Sequence, residues 1–193
     1  GGIILKKLIV LMVIMVWLVG CSNGVKDEAD SQLSDEGVFY EIFVRAFADS
    51  DGDGIGDFNG ITENLDYLVD LGINGIWLLP IYPSPSYHGY DVTNYYDVNS
   101  DYGSLEDFKN LVKEAHSKGI KVVLDMVLNH ASSEHPWFKD TKENLDSEYK
   151  DYFIWADADD VSYDFNASPI DGKAWASYGK RKYFGAFWDG MPD

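Results

Sequence analysis

Apolar residues change period several times along this chain, and each change marks an element. Residues 38–44 (Val-Phe-Tyr-Glu-Ile-Phe-Val) are aromatic and β-branched, which predicts a strand. Residues 61–71 place Ile61, Leu65 and Leu68 at helical spacing. Gly72 follows, where a helix end favours a left-handed residue. Residues 75–79 form a short apolar run stopped by Pro80, a second strand. Ser104 is suited to cap the next helix, whose first turn is acidic. That helix carries Leu105, Phe108, Leu111, Val112 and Ala115 on one side and closes at Gly119. Residues 120–128 predict a third strand.

The order strand, helix, strand, helix, strand, with nearly all-apolar strands, predicts parallel strands buried on both faces. The pattern alone fits a closed barrel and an open doubly wound sheet equally well. No Gly-x-Gly-x-x-Gly follows the first strand, which weakens the dinucleotide-binding version of the open sheet. Residues 81–103 form a long loop rich in Tyr, Pro, Ser and Asp. After His130 the period is lost. Residues 131–193 mix aromatics, Asp and Gly and are expected to form a long irregular insertion or a small subdomain.

The N-terminal run belongs to none of these elements. Lys6 and Lys7 precede an unbroken apolar stretch over residues 8–19, shorter than the roughly 20 residues of a membrane span. It ends in Leu18-Val19-Gly20-Cys21, which resembles a bacterial lipoprotein box. Residues 1–20 are therefore expected to be a signal peptide, with Cys21 as the lipid attachment point. An ordinary signal peptide followed by a chance cysteine is the alternative. This places the protein on the bacterial cell envelope, held to a membrane through lipid. As the chain's one cysteine, Cys21 has no internal disulfide partner. Residues 21–37 are polar and acidic and read as a flexible tether. Charge narrows the partners: 15 Lys plus Arg against 33 Asp plus Glu give a net charge of -18. So acidic a chain repels phosphate backbones, which argues against nucleic acid as a partner.

Three segments carry candidate chemistry. The first is Asp49-Ser50-Asp51-Gly52-Asp53-Gly54-Ile55-Gly56-Asp57. Carboxylates at alternate positions, with glycines that let the chain curl, suit a hard cation that needs several converging oxygens. Asp49, Asp51, Asp53 and Asp57 are the candidate side-chain ligands, and Ile55 offers its carbonyl. Ca2+ fits this many flexible ligands better than magnesium does. A solvated acidic turn is the bland alternative, and similar strings occur in multi-copy calcium repeats. The second segment, residues 82–91, sets Tyr82, Tyr87 and Tyr90 among Ser, His88 and Asp91. Aromatic faces beside polar groups suit sugars, although tyrosines in a loop more often serve packing. The third is Asp125-Met126-Val127-Leu128-Asn129-His130, at the end of the third predicted strand. In a barrel, such strand ends face the active site.

Together these strings resemble glycoside hydrolases of the α-amylase family. They are Tyr40-Glu41-Ile42-Phe43-Val44-Arg45-x-Phe47, the acidic loop, Gly75-Ile76-Trp77-Leu78-x-Pro80, His88-Gly89-Tyr90-Asp91 and Asp125-x-Val127-x-Asn129-His130, in order. The likeness covers residues 38–130 and continues more loosely to Asp193. It implies an α/β fold, the N-terminal part of a (β/α)8 TIM barrel with a subdomain inserted after strand 3. It also implies a starch or malto-oligosaccharide substrate and a retaining mechanism. By the same resemblance, His130 bonds the sugar at the cleavage site, Tyr90 stacks on it, and Asp91 reaches its hydroxyls. Asp125 organises the floor. Asn129 and Asp193, the latter in Met191-Pro192-Asp193, match ligands of the family's interdomain calcium.

The family's nucleophile lies in an Arg-x-Asp string, and neither Arg45 nor Arg181 begins one. No catalytic nucleophile or acid is therefore expected within these residues. A non-catalytic surface lipoprotein that binds glucan or calcium is the competing reading.

Overall fold

A computed structural model describes residues 37–170 and 172–193. The expected signal peptide, Cys21 and nearly all of the expected tether lie outside the described residues. Among the described residues, no helix is long and apolar enough to cross a membrane.

Three parallel strands, β1 (Phe39–Ile42), β2 (Gly75–Leu78) and β3 (Lys121–Leu124), form a sheet in the order β1-β2-β3. Ile42, Leu78 and Leu124 share one register row. Ile42, Ile76 and Leu78 are buried against a helical layer that contributes Phe58, Ile61, Leu65, Leu68, Leu111 and Ala115. The other face is open. Trp77 and Val123, which are register partners, are 43% and 41% exposed. The sequence predicted strands covered on both faces, but the helices of these residues cover one.

The first strand is shorter than residues 38–44 predict. Val44–Phe47 turns into a single helical turn, α1, that buries Val44. The next helix starts earlier than predicted and breaks in two, α2 (Phe58–Glu63) and α3 (Leu65–Asp70). Asp57 caps α2 by accepting the Gly60 N–H at 2.7 Å. The break falls at Asn64, whose amide donates back to the Gly60 carbonyl at 2.8 Å, a local bond that competes with the helix ladder. Helix α4 (Leu105–Ser117) has the predicted Ser104 cap, completed by Asp107, whose carboxylate accepts the Ser104 N–H at 2.8 Å. Gly72 and Gly119 follow α3 and α4 with φ of 81° and 75°, where a side chain would be strained. The third strand ends at Leu124 rather than at residue 128. Asp125 still donates its N–H to the Leu78 carbonyl at 2.9 Å, and the chain then leaves the sheet.

Of the two forms expected for residues 131–193, the structure has the small subdomain, with long stretches between its elements. It is built from α5 (Pro136–Glu143) and the strands β4 (Trp155–Asp157), β5 (Trp175–Tyr178) and β6 (Arg181–Phe184). These strands pair antiparallel in the order β4-β6-β5. Phe138 of α5 is fully buried among the rings of Phe153, Trp155 and Tyr183. Beyond β6 the chain returns along the sheet: Ile154 donates its N–H to the Asp193 carbonyl at 2.7 Å, and Asp193 donates to that of Phe184.

Candidate active site

The loop after β2, the segment after β3 and the end of the subdomain meet around a cleft of about 390 Å³. His88, Tyr90, His130, Phe187, Trp188 and Met191 line it. The first three were expected from the sequence. The last three were not, because they lie at the far end of a region with no readable period.

Tyr90 is held at both ends. Its hydroxyl donates to Asp125 Oδ2 at 2.8 Å, and its carbonyl accepts from His130 Nε2 at 3.1 Å. Burial, the Asp125 hydrogen bond and the nearby Asp125 and Glu41 charges push its phenol up to about 12. Tyr90 is therefore neutral at physiological pH, and its ring lies between the Tyr82, Val92 and Val127 cluster and the cleft, 6.1 Å from the His88 ring. Asp125, just past the C-terminal end of β3, accepts that bond and fixes the direction of the phenol.

His130 is buried, and both its nitrogens have protein partners. Nε2–H donates to the Tyr90 carbonyl, and Nδ1 faces the Asn129 amide at 3.4 Å and Asp193 Oδ1 at 4.0 Å. Burial holds the imidazole below its ordinary pKa, opposed by Asp193, the Tyr90 carbonyl and Asp91. The ring also meets Phe187 edge-on, with centroids 5.2 Å apart. Asp91 does not line the cleft. The residue is 3% exposed, and its carboxylate accepts hydrogen bonds from the Ser84 and Ser86 hydroxyls, 3.9 Å from His88 Nδ1.

The acidic loop folds over α2. Oxygens of Asp49, Asp51 and Asp57 lie within 4.8 Å of one another. That spacing fits Ca2+, whose oxygen ligands sit about 2.3–2.6 Å from the ion. Asp49 accepts the Gly52 and Gly54 N–H groups, which hold its carboxyl below the usual range. Burial opposes the same shift in Asp57, but donors from Gly60 and Ser50 still hold it low. Both groups stay ionised, as a cation requires. Asp53 stands outside this group of three, its carboxylate turned to the Ile55 N–H at 2.7 Å. At the other expected calcium position, the Asn129 amide donates to Asp193 Oδ1, so the two residues do meet. Burial keeps the Asp193 carboxyl above its usual range, against the Ala186 N–H, His130 and Asn129.

The sequence matches the family described as "Alpha amylase, catalytic domain" over residues 41–193. It is 48% identical to Alpha-amylase 3 of Dictyoglomus thermophilum over 156 residues, which cover 81% of this chain and 30% of that protein. It is 44% identical to the oligo-1,6-glucosidase of Parageobacillus thermoglucosidasius over 142 residues, 72% of this chain and 25% of that one. The structure is similar to the crystal structure of the alpha-amylase from H.orenii, with a TM-score of 0.74 and 54% identity over 81% of this chain and 33% of that one. The chain thus spans a third or less of the length of these relatives. β1, β2 and β3 are the first strands of a (β/α)8 barrel, which removes the open-sheet alternative. The chain belongs to the α-amylase family of glycoside hydrolases.

Proposed function

We propose that the gene product containing this chain hydrolyses α-glucosidic bonds of starch-like glucans, and that the cleft beside Tyr90 holds a glucosyl unit. The observation that carries this is the Tyr90–Asp125 pair at the C-terminal end of β3, facing Phe187 and Trp188 across the cleft. A flat phenol kept neutral, next to two exposed aromatic rings, suits the alternating C–H faces and hydroxyls of glucose. The named relatives, an alpha-amylase and an oligo-1,6-glucosidase, support the same bond class. Retaining chemistry requires a carboxylate nucleophile and a carboxylic acid on opposite sides of the scissile bond. In this proposal both come from parts of the catalytic domain other than these residues, while Tyr90, His88 and Asp125 bind and orient the sugar.

Bound Ca2+ would screen the mutual repulsion of Asp49, Asp51 and Asp57 and stiffen the loop capped onto α2. Lipid attachment at Cys21 and export to the cell envelope belong to the same proposal; Cys21→Ala should abolish the lipid mass increment. The central test is incubation of the full-length gene product with soluble starch and maltotetraose. Reducing-sugar release with an initially α-configured product supports the reading, and no release from either substrate rejects it.

A further inference from the structure

We propose that Gly190 is a positioning residue of this cleft: the space left by its missing side chain holds the Trp188 indole in the cleft wall, where the indole takes a sugar ring. The inference rests on the reading of the cleft as a glucan site and names the residue that sets its aromatic wall.

Trp188 belongs to a short loop, residues 185–192, that leaves β6 and is tied down through its backbone. Gly185 donates its N–H to the Ala174 carbonyl at 2.7 Å, and Met191 donates to the Trp188 carbonyl at 3.0 Å. The Asp189 carbonyl accepts the Tyr183 hydroxyl at 2.9 Å, and the Ala186 N–H donates to the Asp193 carboxylate. The indole has no such ties. It makes no hydrogen bond and no ring contact among the described residues, whereas the neighbouring Phe187 packs on His130. Trp188 nonetheless lines the cleft and is 48% exposed. An indole left half in water with an unused N–H points to a ligand that offers both an apolar face and an acceptor oxygen. A sugar ring offers both on one surface.

What leaves room for the indole is the lack of a side chain at residue 190. A Cβ on Gly190 would stand 2.4 Å from Trp188 Cζ2 and Cη2 and 2.8 Å from Cε2. Close-packed atoms do not approach so closely, so the six-membered ring of the indole occupies volume that any other residue there would claim. Gly190 is not one of the glycines with positive φ, so its backbone accepts alanine and the conflict is confined to the indole. Gly185, in the same loop, does a different task. A Cβ there would meet the carbonyl oxygens of Trp188 at 2.6 Å and Met191 at 3.0 Å, so Gly185 shapes the loop's backbone. Gly190 sets one ring.

The test is a double-mutant cycle in the full-length gene product with maltotetraose. Gly190→Ala should turn the indole out of the cleft wall and raise KM about tenfold, with kcat within about twofold. Trp188→Ala should do the same, and the double mutant should be no worse than either single mutant. Trp188→Phe keeps a ring but lacks the atoms that meet position 190. In that background Gly190→Ala should add almost nothing. An unchanged KM in Gly190→Ala, or an equal penalty with and without Trp188, overturns the proposal. If the wild-type protein has no glucan activity, the functional reading fails first. The indole's placement is then read by fluorine NMR of protein labelled with 5-fluorotryptophan, where Trp188→Phe identifies the Trp188 resonance. Gly190→Ala should shift that resonance and leave the others in place, and no shift overturns the assignment.

Discussion

Phe138→Ala would test whether the subdomain has a core of its own that shapes the cleft. Phe138 is fully buried, its ring 4.9 Å from Tyr183, 5.0 Å from Phe153 and 5.5 Å from Trp155, the last stacked at 10°. Truncating a buried Phe to Ala costs about 3–5 kcal/mol. The three ring pairs, each about 0.5–1.5 kcal/mol, are part of that figure rather than an addition to it. A loss of this size is comparable to the whole stability of a small unit, so β4, β5 and β6 should open locally while β1, β2 and β3 persist. Hydrogen exchange read by mass spectrometry separates the two regions. Peptides containing Trp155–Asp157 and Arg181–Phe184 should lose about a hundredfold or more in protection, with the parallel strands as internal control. Because β6 leads directly into Phe187, Trp188 and Met191, KM for maltotetraose should rise as well. A loss of protection below about tenfold, or an equal loss in β1–β3, would refute a separate core.

Other outcomes follow from single contacts. Tyr90→Phe removes the sole side-chain donor to Asp125 among the described residues and should lower stability by about 2 kcal/mol in a denaturant titration. His135 caps α5 through Nδ1, which accepts the Trp137 N–H at 3.1 Å, and burial holds its pKa below 6.5. The unfolded chain therefore binds this proton first. The stabilisation is complete above pH 6.5 and is lost as pH falls through the lower folded value, so Tm should drop on acidification and His135→Gln should flatten that dependence. Chelation of calcium should lower Tm, and Asp49→Ala should remove that sensitivity. Asp57→Ala should cost about a further 1 kcal/mol even in chelator, because Asp57 also caps α2.

What could be read from the sequence depended on how local the cause was. Ser104, Gly72 and Gly119 announce helix ends because capping is decided within a few residues. The break at Asn64 was missed because Leu65 and Leu68 keep helical spacing across it, while the amide that competes for the Gly60 carbonyl leaves no trace in periodicity. β4, β5 and β6 are three or four residues long, too short for alternation to stand out among Asp and aromatic neighbours. The cleft was half legible. His88, Tyr90 and His130 sit in recognisable strings, whereas Phe187, Trp188 and Met191 follow β6, which is placed in part by pairing with β4, distant in sequence. Asp91 was expected to reach the sugar, whereas it is buried under Ser84 and Ser86, which depends on how the loop folds back on itself.

The order β1-β2-β3 repeats the order in which the strands leave the ribosome. Each new strand finds its partner already synthesised, so the parallel layer can assemble during translation. The subdomain cannot follow that rule, since β4 and β5 both wait for β6. Completing the subdomain does not cover the face bearing Trp77 and Val123, so a chain that has reached β6 still presents an adhesive surface to its neighbours. A pause in translation just after β6 should therefore raise the demand for chaperones as much as the same pause placed after β3.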